Sequence, residues 1–389
     1  LRELFGMVDG PFAELVDYHQ GIPGLKAWLD NRYGTTDVVF FLALPPEAYA
    51  RTASELHAEG FADACRLVIE KPFGYDLASS RQLNQSLRAF YDESQIYRID
   101  HYLAKDAIQN ILVFRHTNTI FQPIWNSHYI QEIQISATET SGIRNRGAYF
   151  DNAGIIRDMV QNHLTQLLCL LTMEAPASLA AEDIRAEKLS VLKTLKVERF
   201  RRFQYEGYRQ ELGVAPGSTT DTYAELELSI NNFRWSGVPI HLRTGKAAGH
   251  DGIEIAIIFK PLPRILYNQD GTLDRNRIVF KVQPSAGIII DISSKVPGGD
   301  FTVTGANLAF CYRDLAPKIP DAYLKLLKDA IAGDHTLFVS AEETELAWAV
   351  YADALVNGPV ESYPKGTDPD AGFCSGWTEF TVYQDYCTG

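Results

Sequence analysis

The N-terminal quarter of the chain alternates between short apolar runs and segments of helical composition. Apolar runs stand at 37–44 (DVVFFLAL), 65–70 (CRLVIE) and 96–100 (IYRID). Helices are predicted at 47–59 and 77–93, and Asp76 is a suitable N-cap for the second. Strands that alternate with helices over short connections predict a parallel sheet with crossover helices. Ligands of such sheets bind at the carboxyl ends of the strands, where ALPP, EKPFG and DHY fall.

The pattern changes beyond about residue 125. The segment 222–230 (TYAELELSI) alternates strictly, with Ala224, Leu226, Leu228 and Ile230 predicted to face inward and Glu225, Glu227 and Ser229 outward. Further strands are predicted at 129–139, 238–246, 253–259 and 278–283, and helices near 153–174, 182–195, 318–332 and 341–356. Alternation of this kind is typical of an antiparallel sheet with one solvated or partner-facing side.

The predicted architecture is therefore a parallel α/β domain followed by a larger α+β domain with a mainly antiparallel sheet. We place the domains at 1–100 and 101–389. A length of 389 residues is sufficient for two cores, and 46% hydrophobic with 22% charged residues is ordinary for a soluble globular enzyme.

Charge and cysteine content exclude several classes of function. A formal net charge of −13 argues against nucleic acid or an anionic membrane surface as partner. The five cysteines contain no CxxC pair, which argues against a disulfide framework and a structural zinc site and fits a reducing cytosol. The sequence contains no GxGxxG, P-loop, HExxH or GxSxG motif and no metal-ligand cluster.

The segment RIDHYLAK (98–105) concentrates polar chemistry at a predicted strand end. Asp100 and His101 would project from that end, and Lys105 would lie one turn along the following helix. Cationic and hydrogen-bonding groups near a helix N-terminus suit a phosphate or a carboxylate. A polar network at a domain edge explains the same spacing equally well.

Lys71 follows another predicted strand in EKPFG (70–74), and Pro72 restricts its backbone to extended conformations. A lysine placed so is suited to lie between a cofactor and a sugar hydroxyl. The alternative is a strand-ending turn with an exposed lysine.

His163 falls on an apolar helical stripe formed by Ile156, Val160, Leu167 and Leu171. A lone histidine on such a face is more often a satisfied core residue than a base. The same helix carries Asp158, Gln161 and Asn162, more polar than a core helix requires. A general base also needs an orienting carboxylate, for which Asp100 is a candidate.

Two further strand ends carry polar residues. LRTGK (242–246) places Arg243 and Lys246 there, and VQP places Gln283 similarly. Each is equally compatible with a solvated strand end or a cross-strand polar contact.

Taken in order, ALPP, EKPFG, RIDHYLAK, GIIRDMVQNHLTQLLCL, RTGK and VQP resemble the motifs of the glucose-6-phosphate dehydrogenase family, from about residue 37 to about residue 350. The resemblance implies a Rossmann-like dinucleotide-binding domain plus an α+β domain whose large sheet makes dimers or tetramers. The implied reaction, the first of the oxidative pentose phosphate pathway, oxidises glucose 6-phosphate to 6-phosphogluconolactone with NADP as cofactor in the cytoplasm.

The resemblance also implies residue roles. His163 matches the general base that takes the C1 hydroxyl proton, and Asp100 matches the carboxylate that orients it. His101, Tyr102 and Lys105 match groups that hold the substrate phosphate, and Lys71 matches the lysine between cofactor and sugar. Positions around the sugar hydroxyls correspond to Glu139, Asp158, Lys246 and Gln283; those on the cofactor side correspond to Leu44, Pro45 and Tyr49.

The chain departs from the family pattern in three places. Members of the family have a glycine-rich phosphate-binding loop and a basic residue that binds the 2′-phosphate of NADP. Both correspond to positions before Leu1, so we expect an N-terminally incomplete dinucleotide-binding domain. His250 is the only substitute for a second cation that many members carry after Lys246, and Ala104 replaces a usual glycine. Two other functions remain open: a different sugar oxidoreductase of similar architecture, and a catalytically silent sugar-phosphate-binding or regulatory subunit.

Overall fold

Two sheets organise the computed structural model, which describes residues 16–34, 37–62, 65–271, 273–298, 300–316, 321–356, 358–374 and 376–378. The smaller sheet has four strands and the larger has nine. No helix in these ranges is both long enough and apolar enough to cross a bilayer.

The smaller sheet confirms the predicted parallel arrangement. Its strands β1 (Val38–Leu42), β2 (Cys65–Ile69) and β3 (Ile96–Ile99) pair in parallel, and β12 (Phe338–Val339) adds an antiparallel edge beside β3. Helices α1 (Leu25–Tyr33), α2 (Tyr49–Ala58) and α3 (Leu77–Arg88) belong to this part of the chain. The predicted N-cap of α3 is confirmed, since Asp76 accepts a hydrogen bond of 2.8 Å from the Ser79 amide.

The larger sheet is mainly antiparallel, as predicted. Its strands are β4 (Ile130–Thr138), β5 (Leu195–Tyr205), β6 (Tyr223–Ile230), β7 (Ile240–Gly245), β8 (Gly252–Phe259), β9 (Arg277–Gln283), β10 (Gly287–Lys295), β11 (Val303–Cys311) and β13 (Glu361–Tyr363). Their order is β11-β10-β9-β8-β4-β7-β6-β5-β13. Within the described part of this larger sheet, only the β4–β7 and β5–β13 pairs are parallel.

The remaining helices are α4 (Asp106–Thr117), α5 (Gly147–Ile155), a π-helix (Ile156–Leu164), α6 (Thr165–Thr172), α7 (Ala181–Leu192), α8 (Ala322–Ala332) and α9 (Ala341–Val350). The single helix predicted near 153–174 is wrong in detail. Gly154, at φ 72°, ψ 168°, interrupts α5, and the π-helix follows. The helix predicted near 318–332 begins at Ala322, and positions 318–320 lie outside the described residues.

The predicted faces of β6 are half correct. Its inward residues are buried in the core, but Glu225, predicted to lie on a solvated or partner-facing side, is buried as well. The reason is that residues 371–374 and 376–378 lie across the outer face of the sheet, where the Ala371 amide donates to Glu225 Oε2 at 3.0 Å. Nearby, the Arg243 guanidinium lies 4.3 Å from the Trp377 ring centre.

The cysteines differ from expectation at one position. Cys65, Cys169 and Cys374 are free thiols, but Cys311 is disulfide-bonded, so the expectation of reduced cysteines is wrong there. Cys387 lies outside the described residues.

Candidate active site

The end of β3 and the π-helix bring Asp100 and His163 together. His163 Nδ1 lies 2.6 Å from Asp100 Oδ1, and the two residues are 1% and 3% exposed. The same carboxylate oxygen accepts a hydrogen bond of 3.0 Å from the Tyr102 amide in the turn after β3. The carboxylate is thus fixed by the backbone and in turn fixes the imidazole.

The π-helix sets the direction of the His163 side chain. Its hydrogen bonds join residues five apart, so Asp158 and His163 come about one turn apart on the same side. In an α-helix the same spacing would separate them by about 140°. Thr165 follows directly and donates to the Val160 carbonyl at 2.5 Å, which stabilises the wider turn.

Burial and charge assign the protonation states of this pair. Burial lowers the pKa of His163 below its ordinary value, although the Asp100 charge opposes this. Burial alone would raise the pKa of Asp100, but His163, His101 and the Tyr102 amide lower it overall. The pair is therefore a neutral imidazole that donates from Nδ1 to a carboxylate, which leaves Nε2 as the acceptor.

Aromatic rings enclose the histidine. The Tyr102 ring stacks on His163 at 4.1 Å between centroids, and His101 meets it edge-on at 4.8 Å. Tyr323 of α8 stacks on His101 at 5.8 Å, and burial is the main cause that lowers the pKa of His101 to about 4. Tyr323 was not predicted from the sequence. It comes from a helix more than 200 residues further along the chain, and no pattern in its neighbouring residues indicates that it contacts His101.

The predicted cations also converge here. Lys71 Nζ donates to the Asp158 carbonyl at 2.8 Å and lies 3.3 Å from Asp158 Oδ1. The alternative of an exposed lysine at this position is therefore wrong. Lys246 is buried and forms a short ion pair with Glu139.

Lys105 occupies a different position from the predicted one. It is the N-cap of α4, which begins at Asp106, because residues 101–104 form a turn. Its ammonium donates to the Gln283 side chain and lies 4.5 Å from the Tyr102 ring centre. Two predicted groups distant in sequence, Lys105 and Gln283, thus meet at the helix N-terminus.

Asp158 lies between several cations. Burial favours its neutral form, but Lys71, Lys246 and Arg146 lower its pKa overall. Tyr149 hydrogen-bonds to Asp158, and burial raises the pKa of that phenol to about 12. Arg146 and Tyr149 were missed from sequence; their only signal was their place in RNRGAYFD, directly before the helix.

A cavity of about 200 Å³ opens beside these groups, and its lining includes Tyr102, Glu139, Met159 and Gln283. Because Tyr102 also stacks on His163, the cavity adjoins the dyad. A larger cavity of about 520 Å³ near residues 262–303 is lined mainly by apolar side chains and by none of the predicted site residues. We place the active site at the smaller one.

The cofactor-side residues lie at the carboxyl edge of the parallel strands. Leu44 and Pro45 are exposed, whereas Tyr49 is fully buried and donates to the Glu70 carbonyl at 2.9 Å. Tyr49 thus lies beneath the turn that presents Lys71. The exposed apolar surface of Leu44 and Pro45, beside Lys71 at this edge of the sheet, fits the nicotinamide end of a dinucleotide.

The two substitutions against the family pattern have structural explanations. Ala104 is buried in a turn without a left-handed backbone, so a methyl group is tolerated there. His250 Nδ1 lies 2.7 Å from Asp368 Oδ2 and is held by that carboxylate. Asp100, His101 and His163 bring potential metal-ligand atoms within 4.8 Å of one another, but two of the three form the dyad.

Two family models match the chain. "Glucose-6-phosphate dehydrogenase, NAD binding domain" matches residues 7–110, and "Glucose-6-phosphate dehydrogenase, C-terminal domain" matches residues 112–372.

Similar proteins carry the same name. Glucose-6-phosphate 1-dehydrogenase of Chlamydia trachomatis is 40% identical over 87% of this chain and 85% of its own length, and that of Bacillus subtilis is 40% identical over 82% and 69%. A solved glucose-6-phosphate dehydrogenase in complex with its substrate glucose-6-phosphate superposes with a TM-score of 0.86 at 33% identity, covering 93% of this chain and 81% of that chain. The corresponding protein of Mycobacterium avium gives 0.80 at 33% identity, over 88% and 76%.

Proposed function

The chain belongs to the glucose-6-phosphate dehydrogenase family, and on that basis we propose that it oxidises D-glucose 6-phosphate to 6-phospho-D-glucono-1,5-lactone. A nicotinamide dinucleotide, NADP in this proposal, supplies the hydride acceptor when bound. The observation that carries the assignment is the buried pair of His163 and Asp100 beside a cavity whose lining includes Tyr102, Glu139 and Gln283.

His163 Nε2 takes the proton of the C1 hydroxyl, because Nδ1 is occupied by Asp100. Oxidation of C1 needs this deprotonation as the hydride leaves, and a base with a pKa below that of an ordinary histidine is neutral at physiological pH. The imidazolium that forms lies against the Asp100 carboxylate, which stabilises its charge without taking the proton. Burial of both groups strengthens this interaction.

The surrounding groups orient the substrate. We assign the phosphate to His101, Tyr102 and Lys105, which meet at the N-terminus of α4 and suit an anion there. The sugar hydroxyls are assigned to Lys71, Glu139, Asp158, Lys246 and Gln283. Buried lysine–carboxylate pairs such as Lys71 with Asp158 present both donors and acceptors, which is what a hydroxyl needs.

The test is the appearance of reduced-nicotinamide absorbance when the purified chain receives glucose 6-phosphate with NADP. Turnover with glucose 6-phosphate that exceeds turnover with glucose supports the proposal, and preference for unphosphorylated sugars would favour a different sugar oxidoreductase. A folded protein that binds glucose 6-phosphate without NADP affinity would instead be a silent subunit. Parallel assays with NAD decide the cofactor.

The larger sheet is assigned to association with a second copy. Support comes from exposed apolar side chains on and near β10 and β11, among them Leu308, Leu266 and Phe301. Contiguous apolar surface of this kind is typical of an association site. Light scattering coupled to size exclusion tests this: a mass of one chain at micromolar concentration contradicts it.

Two further assignments complete the proposal. The dinucleotide-binding unit is assigned to residues 1–100 and the substrate and oligomerisation unit to 101–389; limited proteolysis near residue 100 tests this division.

A cytoplasmic location is supported by the free thiols of Cys65, Cys169 and Cys374. Thiol alkylation in a fresh cell extract tests it and also reports the state of Cys311.

A further inference from the structure

The second oxygen of the dyad carboxylate lacks a partner. Asp100 Oδ1 accepts from both His163 and the Tyr102 amide, but no donor among the described residues reaches the buried Oδ2. An ionised oxygen that is withdrawn from water without a hydrogen bond destabilises the folded state, and more so than a neutral polar atom would. If the Asp100 carboxylate is to stay ionised and stabilise an imidazolium, it therefore needs a hydrogen-bond donor at Oδ2.

A second, small cavity of about 10 Å³, which is room for a single water molecule, also borders Asp100. Most of its lining is polar, and Phe73, Ile99, Val339 and Ala347 complete the wall. The polar residues beside Asp100 are Lys71, Gln161, Asn162, Gln166, Glu343 and Thr344. Cavities of water size stay dry when apolar and hold ordered water when several polar groups converge. The composition of this lining is that of a hydrated cavity.

Gln166 of α6 is the best-defined group in that lining. Lys188 Nζ donates to Gln166 Oε1 at 3.0 Å and pairs with Glu343 Oε1 at 2.5 Å. Because an ammonium has only donors, this contact fixes which end of the amide is oxygen. With its oxygen held by Lys188, the Gln166 amide nitrogen is left as a donor in a residue that lines the cavity.

We infer that this cavity binds one water molecule, which donates to Asp100 Oδ2 and accepts from Gln166 Nε2. The assignment rests on the proposed function of the dyad and adds Gln166 to it as a positioning residue. The chain of contacts runs from Glu343 through Lys188 and Gln166 to the water and then to the carboxylate. It fixes the second carboxylate oxygen as firmly as the backbone fixes the first.

Replacing the amide by a thioether of similar volume, Gln166→Met, tests the inference. The donor for the water is lost, so the Asp100 carboxylate is less stabilised and the dyad binds a proton more tightly. We expect kcat to fall about 10- to 100-fold, by analogy with the loss of an outer hydrogen-bond partner of a metal-bound histidine, with KM for glucose 6-phosphate unchanged. The acid limb of the kcat/KM profile should move to higher pH.

Gln204→Met is the matched control. Gln204 is a buried glutamine that donates to the Ser218 carbonyl at 3.1 Å, outside the described site. It should leave the acid limb where it is. A fall in kcat for Gln166→Met with an unmoved acid limb would mean that Gln166 only supports packing and would overturn the inference.

A crystal structure of the unaltered protein decides the matter even where Gln166→Met fails to fold. The expected result is one ordered water within hydrogen-bond distance of Asp100 Oδ2 and Gln166 Nε2. A side-chain donor placed directly on Oδ2, or an empty cavity, would overturn the inference. If this water is present but the protein does not oxidise glucose 6-phosphate, the proposed function fails and the water site stands.

Discussion

His163 Nδ1 lies 2.6 Å from Asp100 Oδ1, although the two residues are 63 positions apart in the chain. One comes from the carboxyl end of a parallel strand and the other from a π-helix that packs against it. Since both are almost fully buried, neither reaches solvent for its charge compensation. The protonation of one depends on the other, and the testable consequences follow from that dependence.

Replacing His163 by Asn removes the assigned base and keeps a side chain of similar size. We expect kcat to fall about 10²- to 10⁴-fold with little change in KM for glucose 6-phosphate, because the proton is transferred only in the transition state. Steady-state kinetics with glucose 6-phosphate measure both. His116→Asn is the control, since burial lowers the pKa of His116 too but the residue is remote from the dyad. Survival of turnover in His163→Asn would reject the assignment of the base.

Activity should be lost as pH falls through a pKa below that of an ordinary histidine, because burial lowers the pKa of His163 and the protonated form cannot accept the proton. Asp100→Asn removes the charge that raises the pKa of His163, so its acid limb should move to still lower pH while kcat falls about 10²- to 10⁴-fold. Profiles of kcat/KM against pH for both proteins measure this. An acid limb that moves to higher pH in Asp100→Asn would contradict the assigned roles.

The sequence allowed much of this site to be predicted, since strand periodicity located the ends of β2 and β3 and thereby Lys71 and Asp100. Their convergence follows from a general property of parallel sheets, whose carboxyl ends share one edge. His163 was harder to place, because an apolar helical stripe does not distinguish a base from a core histidine. The contact with Asp100 is what favours a base, and that contact is tertiary.

The errors have physical causes. Helical periodicity does not distinguish α from π turns, so the wider turn at Ile156–Leu164 was not foreseen. Glu225 was predicted to face outward, on a solvated or partner-facing side, because alternation along one strand cannot show that residues 371–374 and 376–378 of the same chain cover that face. Tyr323 reaches His101 across the domain, and no local pattern predicts such a contact.

Lys105→Met removes a charge from the N-terminus of α4 while keeping the length of the side chain. If Lys105 holds the phosphate, KM for glucose 6-phosphate should rise about 10-fold or more, since a charged hydrogen bond contributes roughly 1.5–3 kcal/mol. Turnover of unphosphorylated glucose should be unchanged, which separates phosphate recognition from general damage. Lys193→Met, at an exposed pair with Glu342, is the control. Equal losses on both sugars would contradict the phosphate assignment.

Glu225→Gln should change how stability depends on pH. Burial raises the pKa of Glu225 from 4.5 to about 7, so between these values the folded state binds a proton that the unfolded state has released. The contribution of Glu225 to the free energy of unfolding is therefore fully present at low pH and is lost as the pH rises through that window. The variant should melt a few degrees above the unaltered protein at pH 8 and close to it at pH 4, where both carry a neutral group. Thermal unfolding at both pH values measures this, and a gap that does not grow with pH would contradict the buried carboxyl.

Gly154→Ala should lower both stability and activity, because the Asp221 carboxylate that an alanine side chain would meet also holds the start of the π-helix. Gly154 has φ 72° and ψ 168°, a region almost restricted to glycine, and a Cβ there would lie 2.9 Å from Asp221 Oδ1. Asp221 in turn accepts from the Ile156 amide at 3.1 Å, at the start of the π-helix that carries His163. We expect a loss of about 1–3 kcal/mol in the free energy of unfolding.

Gly217→Ala is the matched control for that substitution, since a Cβ there meets no atom of the described residues within 4 Å. Urea unfolding and kcat are to be measured for both variants. If Gly154→Ala loses stability but keeps full kcat, the π-helix keeps its position without the Asp221 contact. If it loses both while Gly217→Ala loses neither, the direction of His163 depends on a carboxylate that never touches it, which is the result we expect.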